Sequence, residues 1–272
     1  HHPLTDSFPG GGRLPDKGWL LALAITFGYG LLAFYSLGDM QAALTSWPPQ
    51  EKESVVLTAD GEVDTLIYLP GLTPDDAHYA ARVGVNVQVE TSLDGTTWTD
   101  CGTLTDGSLF AWKQYTLSTP GNYVRLTALD NSVTINEVGL KSTGIPALAT
   151  VTGEGSCEAL LDEQEVVPLE TTYKNSSYFD EIYHARTAYE HILGLEPYEN
   201  THPTLGKLII SLGIRIFGMN PFGWRFMGTL FGVLMLPILY HLLWQLFGKT
   251  RLCVAGTLLF AFDFMHITQT RI

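Results

Sequence analysis

Ser177 to Glu190 reads SYFDEIYHARTAYE, and it sets two adjacent carboxylates, Asp180 and Glu181, inside an aromatic stretch with helical spacing. Basic groups follow: His202 and Lys207 in THPTLGK, Arg225 in GWRF, and Arg271 in ITQTRI. A carboxylate can take the proton of a hydroxyl as its oxygen attacks. Lysine and arginine can stabilise charge growing on a phosphate, arginine through two parallel hydrogen bonds. Each group also has a plainer use. Asp180 and Glu181 suit a helix N-terminus through the macrodipole. Lys207 and Arg215 can snorkel from an interfacial helix, Arg225 can anchor a helix end, and His202 can cap the helix that Pro203 starts.

The elements that must carry these groups are legible from hydropathy. Phe179, Ile182, Tyr189, Ile192 and Leu193 recur at helical spacing, with Asp180, Glu181, His184 and Arg186 on the polar side or at the helix start. Trp19 to Leu37 has no charge over about 19 residues, the length that crosses about 30 Å of hydrocarbon. It defines a first transmembrane helix over 18–38, with Arg13 and Lys17 before it in a cytoplasmic N-terminus, 1–17. A second span lies at 222–248, where Pro237 is tolerable in a packed membrane helix. A third lies at 252–270 and holds Asp263, an acid that is costly at that depth and often functional, or else paired with His266.

Leu205 to Gly218 is apolar too, but its 14 residues include Lys207 and Arg215. At 1.5 Å per residue it covers roughly 21 Å, too short to cross. Were it a crossing, the basic turn holding Lys249 and Arg251 would fall outside, against the positive-inside tendency. It is therefore expected to lie along the outer surface, with 178–221 as an outer loop of interfacial helices. The chain stops directly after a membrane segment, which points to a portion of a longer polytopic protein.

Charge divides the 272 residues unevenly. Asp39 to Asn200 carries 25 acidic and 7 basic residues, net −18, and the rest carries 3 and 8, net +5. So acidic a middle excludes nucleic acid as a partner, since phosphate neutralisation needs Lys and Arg. Cys101 and Cys157 can pair if the middle lies outside the cytoplasm, whereas Cys253 sits in an apolar run. No cysteine or histidine spacing suggests zinc.

Between the first span and the acidic pair the pattern is β. SVVLTA, DTLIYLPG, VGVNVQVETS, WKQYTLS, NYVRLTALD and VTINEVGL are separated by turn residues, and LDGTTW holds an Asp-Gly hairpin signal. This predicts an all-β sandwich or jelly roll over 50–143, then an acidic linker, 144–177. ETSLDGTTWTDCGTL, WKQYTL and YVRLTALDNSVTINEVGL resemble the discoidin, or coagulation factor 5/8 type C, sandwich. That resemblance implies a domain whose relatives often bind carbohydrate. Trp98, Trp112 and Tyr115 read as core or strand-face residues, so no sugar site is carried over.

The order FDEIYHA, HPTLGK, WRF and QTR resembles the protein O-mannosyltransferase family, membrane glycosyltransferases of the GT-C type that use lipid-phosphate sugars. The family pattern has a DE motif in the first outer loop, then HPPLGK, an arginine before the next span, and QSR after a further one. Thr204 replaces the second proline and Thr270 the serine. The resemblance implies a polytopic α-helical enzyme with the β-domain inserted in its first outer loop. It implies a polyprenyl-phosphate sugar donor, mannose above all, and Ser or Thr hydroxyls of an acceptor protein. Asp180 would be the base, Glu181 its partner or a sugar contact, and His202, Lys207, Arg225 and Arg271 would meet the donor phosphate in one extracytoplasmic pocket. Attack from the opposite face of the sugar would invert the anomeric centre. A lipid or envelope-polymer acceptor, and a non-catalytic carbohydrate-binding module, remain open, as does a requirement for a divalent metal.

Overall fold

The computed structural model describes residues 17–75 and 80–271, so the N-terminal segment with Arg13 lies outside the described residues. The chain divides into two units. Among the described residues, 17–37 and 224–271 form a helical unit, and those between 38 and 223 form a middle unit.

The helical unit contains α1 (Lys17–Phe34), nearly all of α4 (Pro221–Phe247), α5 (Thr250–Ala261) and α6 (Phe264–Arg271). α1 and α4 are each long and apolar enough to cross a membrane. Leu20, Leu23, Phe27 and Leu31 of α1, and Phe231, Ile238 and Leu242 of α4, are exposed, as lipid-facing side chains must be. Association in lipid relies on close packing rather than on burial from water. Ala22 packs with Tyr240, Trp244 and Cys253, and Tyr29 and Ala33 pack with Val233, Leu236 and Ala261. A Cβ at Gly232 would lie 2.5 Å from Thr270 Oγ1, so only glycine admits α6 this closely to α4. The expected third span is not one straight helix. α5 and α6 meet at a bend of 57°, where Asp263 Oδ2 accepts the backbone N–H of His266 at 3.0 Å. The acid inside the span therefore partners a backbone N–H freed by the break.

The middle unit begins with the β-domain. Its strands are β1 (Ser54–Pro70), β2 (Thr73–Asp75), β3 (Ala80–Arg82), β4 (Val87–Ser92), β5 (Thr99–Leu104), β6 (Lys113–Ala128), β7 (Ile135–Lys141) and β8 (Val151–Glu154). SVVLTA and DTLIYLPG are one long strand, as are WKQYTLS and NYVRLTALD. β1 and β6 run antiparallel throughout, but their register shifts around Val63. There a Cβ on Gly121 would lie 2.7 Å from the Ser92 carbonyl oxygen, which explains the glycine at the bend. Before the bend β1 pairs with β8, and beyond it with β7. The far half of β6 pairs with β4, which pairs with β5 through the Asp-Gly turn. The two halves thus become two layers over one core holding Val55, Leu57, Leu66, Val87, Val89, Leu104, Val124, Leu126, Val138 and Leu140. Each such side chain, fully buried, contributes about 1.5–3 kcal/mol. This is the expected antiparallel sandwich.

The expected linker is part of that domain. Its β8 extends the sheet, Leu160 and Cys157 enter the core, and Val167 covers Ile67, Leu69 and Trp112 on the outer side of β1. Cys101 and Cys157 are both buried free thiols. Two helices follow: α2 (Glu181–Leu193) and α3 (Thr204–Phe217).

Candidate functional site

The acidic pair divides its labour. Phe179 takes a left-handed conformation, φ 51°, and turns the chain into α2. Glu181 is buried, and its Oε2 accepts the backbone N–H of Tyr178 at 2.8 Å, so this carboxylate secures the helix start. Asp180 occupies the N-cap position but makes no side-chain cap bond, and it stays exposed. The helix-start role belongs to Glu181, and the exposed carboxylate of the pair is Asp180. One turn on, His184 faces His202 edge-on, with ring centroids 5.3 Å apart. Position i+4 from Asp180 marks His184 as its neighbour on the helix surface.

The second half of α2 holds the loop that precedes α3. Contrary to the expected apolar face, α2 buries Ala185, Thr187, Ala188 and Glu190. Glu190 accepts Arg186 Nε and the backbone N–H of Tyr198, each at 2.7 Å. Thr187 Oγ1 accepts the N–H of Glu199 at 3.2 Å, and the Arg186 guanidinium lies 3.8 Å from the Tyr198 ring centre.

Glu199, absent from the expected site, is its electrostatic centre. Its carboxylate pairs with Lys207, and it lies 3.2 Å from His202 Nδ1. Hydrogen bonding from Lys207, then from Thr201, holds its pKa well below the ordinary carboxylate range. Lys207 is only 3% exposed and is turned inward, onto acceptors of its own loop. A shielded ammonium needs acceptors for its three N–H bonds. Glu199's carboxylate, the Glu199 carbonyl at 2.5 Å and the His202 carbonyl at 3.3 Å supply them. His202 remains exposed.

The two arginines lie in the helical unit, and the structure brings them to one place. α1 ends at Phe34, and Ser36 turns left-handed at φ 54°. Arg225 Nη1 donates to the Leu37 carbonyl at 3.0 Å. Arg271 Nη2 donates to the carbonyls of Tyr35, 3.0 Å, and Ser36, 3.2 Å. These three carbonyls belong to the turn just past α1, outside the helical hydrogen-bond ladder, and the two guanidinium groups supply their donors. Arg225 is buried, while Arg271 is partly exposed. Thr270, the departure from QSR, accepts Tyr29 Oη–H at 2.9 Å and locks α6 against α1.

This arginine-bearing region is also where known proteins match. Residues 216–272 fit the sequence profile of the family described as Dolichyl-phosphate-mannose-protein mannosyltransferase. The resemblance to the O-mannosyltransferase family holds over this segment. The Polyprenol-phosphate-mannose--protein mannosyltransferase of Mycobacterium tuberculosis, in strains CDC 1551 and H37Rv, is 41% identical over 59 residues, 21% of this chain and 11% of that protein. The chain thus spans about a tenth of the length of these curated relatives. Its membrane-spanning helices and this family match make it an integral membrane protein. Solved structures resemble part of the chain distantly. A pectin binding carbohydrate binding module is 19% identical over 42% of this chain and 83% of its own, with a TM-score of 0.29. CpGH89CBM32-5 from Clostridium perfringens, in complex with GalNAc-β-1,3-galactose, is 16% identical over 35% and 68%, with a TM-score of 0.27. The fold of the domain rests on its own strand pairing.

Glu199, Glu190 and His184 escaped the sequence reading as site residues. Glu199 falls in a loop, where no periodicity marks it. Its one signal is position, three residues before His202 and eight before Lys207.

Proposed function

We propose that the full-length protein transfers mannose from a polyprenyl-phosphate carrier to Ser or Thr hydroxyls of proteins at the extracytoplasmic membrane surface. The observation that carries this reading is the convergence of Arg225 and Arg271, both from the segment that matches the mannosyltransferase family, on the turn that follows α1. Two guanidinium groups held by fixed carbonyls suit an anionic leaving group, because no reorganisation is needed as its charge grows.

Asp180 takes the proton of the acceptor hydroxyl as that oxygen bonds to the anomeric carbon. The bond from that carbon to the phosphate oxygen breaks, and the lipid phosphate leaves with the electron pair. Cationic side chains of the motif order receive the charge. Backside attack inverts the anomeric centre. Glu181 contributes by fixing the turn that presents Asp180.

Membranes holding the full-length protein, given labelled polyprenyl-phosphate mannose, should label protein in a linkage to Ser or Thr that mild alkali releases by β-elimination. Asp180→Asn should lower kcat about 100-fold or more, the usual contribution of a general base. Label found in lipid or polymer alone would refute the acceptor assignment, and undiminished transfer by Asp180→Asn would refute the base.

A further inference from the structure

One carboxylate ties together both basic side chains of THPTLGK. Glu199 Oε1 accepts the backbone N–H groups of Thr201, 2.6 Å, and His202, 3.1 Å, and lies 3.2 Å from His202 Nδ1. Its Oε2 pairs with the Lys207 ammonium. The loop behind it is fixed independently, through Thr187 to Glu199 N–H and Glu190 to Tyr198 N–H. Lys207 has its three donors engaged within this loop, whereas the His202 side chain is 65% exposed. Both groups beside Nδ1, the Glu199 carboxylate and the Thr201 hydroxyl, can accept a hydrogen bond. A proton on Nδ1 directs Nε2 away from them.

The geometry points to Glu199 as a positioning residue: it aims His202 Nε2 at the donor phosphate, and Lys207 anchors Glu199 instead of touching the ligand. This deepens the transferase reading and rests on it for the identity of the phosphate. It also reverses the simple electrostatic expectation. A carboxylate that merely competes with an anionic ligand would, when neutralised, let that ligand bind more tightly. A carboxylate that orients a ligand-binding imidazole would, when neutralised, weaken binding.

The test uses full-length protein in lipid nanodiscs, with a polyprenyl monophosphate as the probe and its Kd read directly. Glu199→Gln and His202→Asn should each raise Kd about tenfold, the scale of one hydrogen bond to a charged group. The double variant should be no weaker than His202→Asn alone, since Glu199 acts only through His202. Glu199→Asp should recover part of the loss. Tighter or unchanged binding by Glu199→Gln, effects that multiply in the double variant, or no probe binding by the wild type would each overturn the inference. Glu199→Gln strands a buried ammonium. If it fails to fold, Glu199→Gln with Lys207→Gln replaces it, scored against Lys207→Gln alone. Transfer is measured in parallel. Probe binding with this coupling but without mannosyl transfer sinks the transferase reading and leaves the positioning role standing.

Discussion

Glu137 shows what burial does to a single carboxyl group. It lies on β7 with no exposed surface, accepting Gln164 Nε2 at 2.6 Å and the Glu163 N–H at 2.8 Å. Desolvation dominates those hydrogen bonds and pushes its pKa up to about 8. In an unfolded chain it titrates near the ordinary value of about 4.3. Between those values the folded state holds a proton that the unfolded state has lost. Stability from this group is therefore full at acid pH and falls as pH rises toward 8, by on the order of a few kcal/mol. Glu163, also raised by burial, adds to the same trend. Tryptophan-detected thermal unfolding of the β-domain within the intact protein should show Tm falling from pH 5 to pH 8. Glu137→Gln should flatten that slope, and an equal slope in the variant would show that other groups cause it. At this scale the sequence reading proposes Asp180, Arg225 and Arg271 because a motif order names them. It missed Glu199 and Glu190, whose roles depend on contacts between a helix and a loop that no local pattern encodes.

Elements were more legible than residues, and their failures have causes. Alternation identified the strands, but a bend such as that at Val63 resembles a turn in sequence, so two long strands were read as four. The acidic 144–177 segment has linker composition, yet its few apolar residues, Leu160 and Val167 among them, cover a sheet face. α3 has 14 residues, the length on which the expectation that it does not cross rests, and the structure adds the direction of its faces. Leu205, Leu208, Leu212 and Ile216, spaced three and four apart, are 69%, 46%, 49% and 67% exposed, while Lys207 and Ser211 are buried. A soluble helix orients the other way. An outward apolar stripe fits a helix that lies in the headgroup boundary with that face in lipid. A bimane fluorophore on Leu212→Cys, in full-length protein in nanodiscs, should be quenched by brominated lipid, and one on Ser211→Cys should not. Equal quenching at both positions would place α3 away from the bilayer.

At the scale of the whole molecule, charge and hydropathy predict one topology. The acidic residues are concentrated in the middle unit, and the turn between α4 and α5 carries Lys249 and Arg251. The positive-inside tendency assigns that turn to the cytoplasm. An even number of crossings then separates it from the N-terminus, because α1 and α4 pass once each and α3 does not. On that prediction the middle unit lies on the outer side, away from the basic turn. This arrangement is testable because the native thiols Cys101, Cys157 and Cys253 are all buried and should give little background. An impermeant maleimide on intact cells should label Thr171→Cys, on the exposed surface of the middle unit, and spare Lys249→Cys until the membrane is opened. Were α3 a crossing, both positions would react from outside. Were α1 inserted in the opposite sense, the pattern would invert, and Asp180 would face the cytoplasm, where a proposal built on an extracytoplasmic acceptor could not stand.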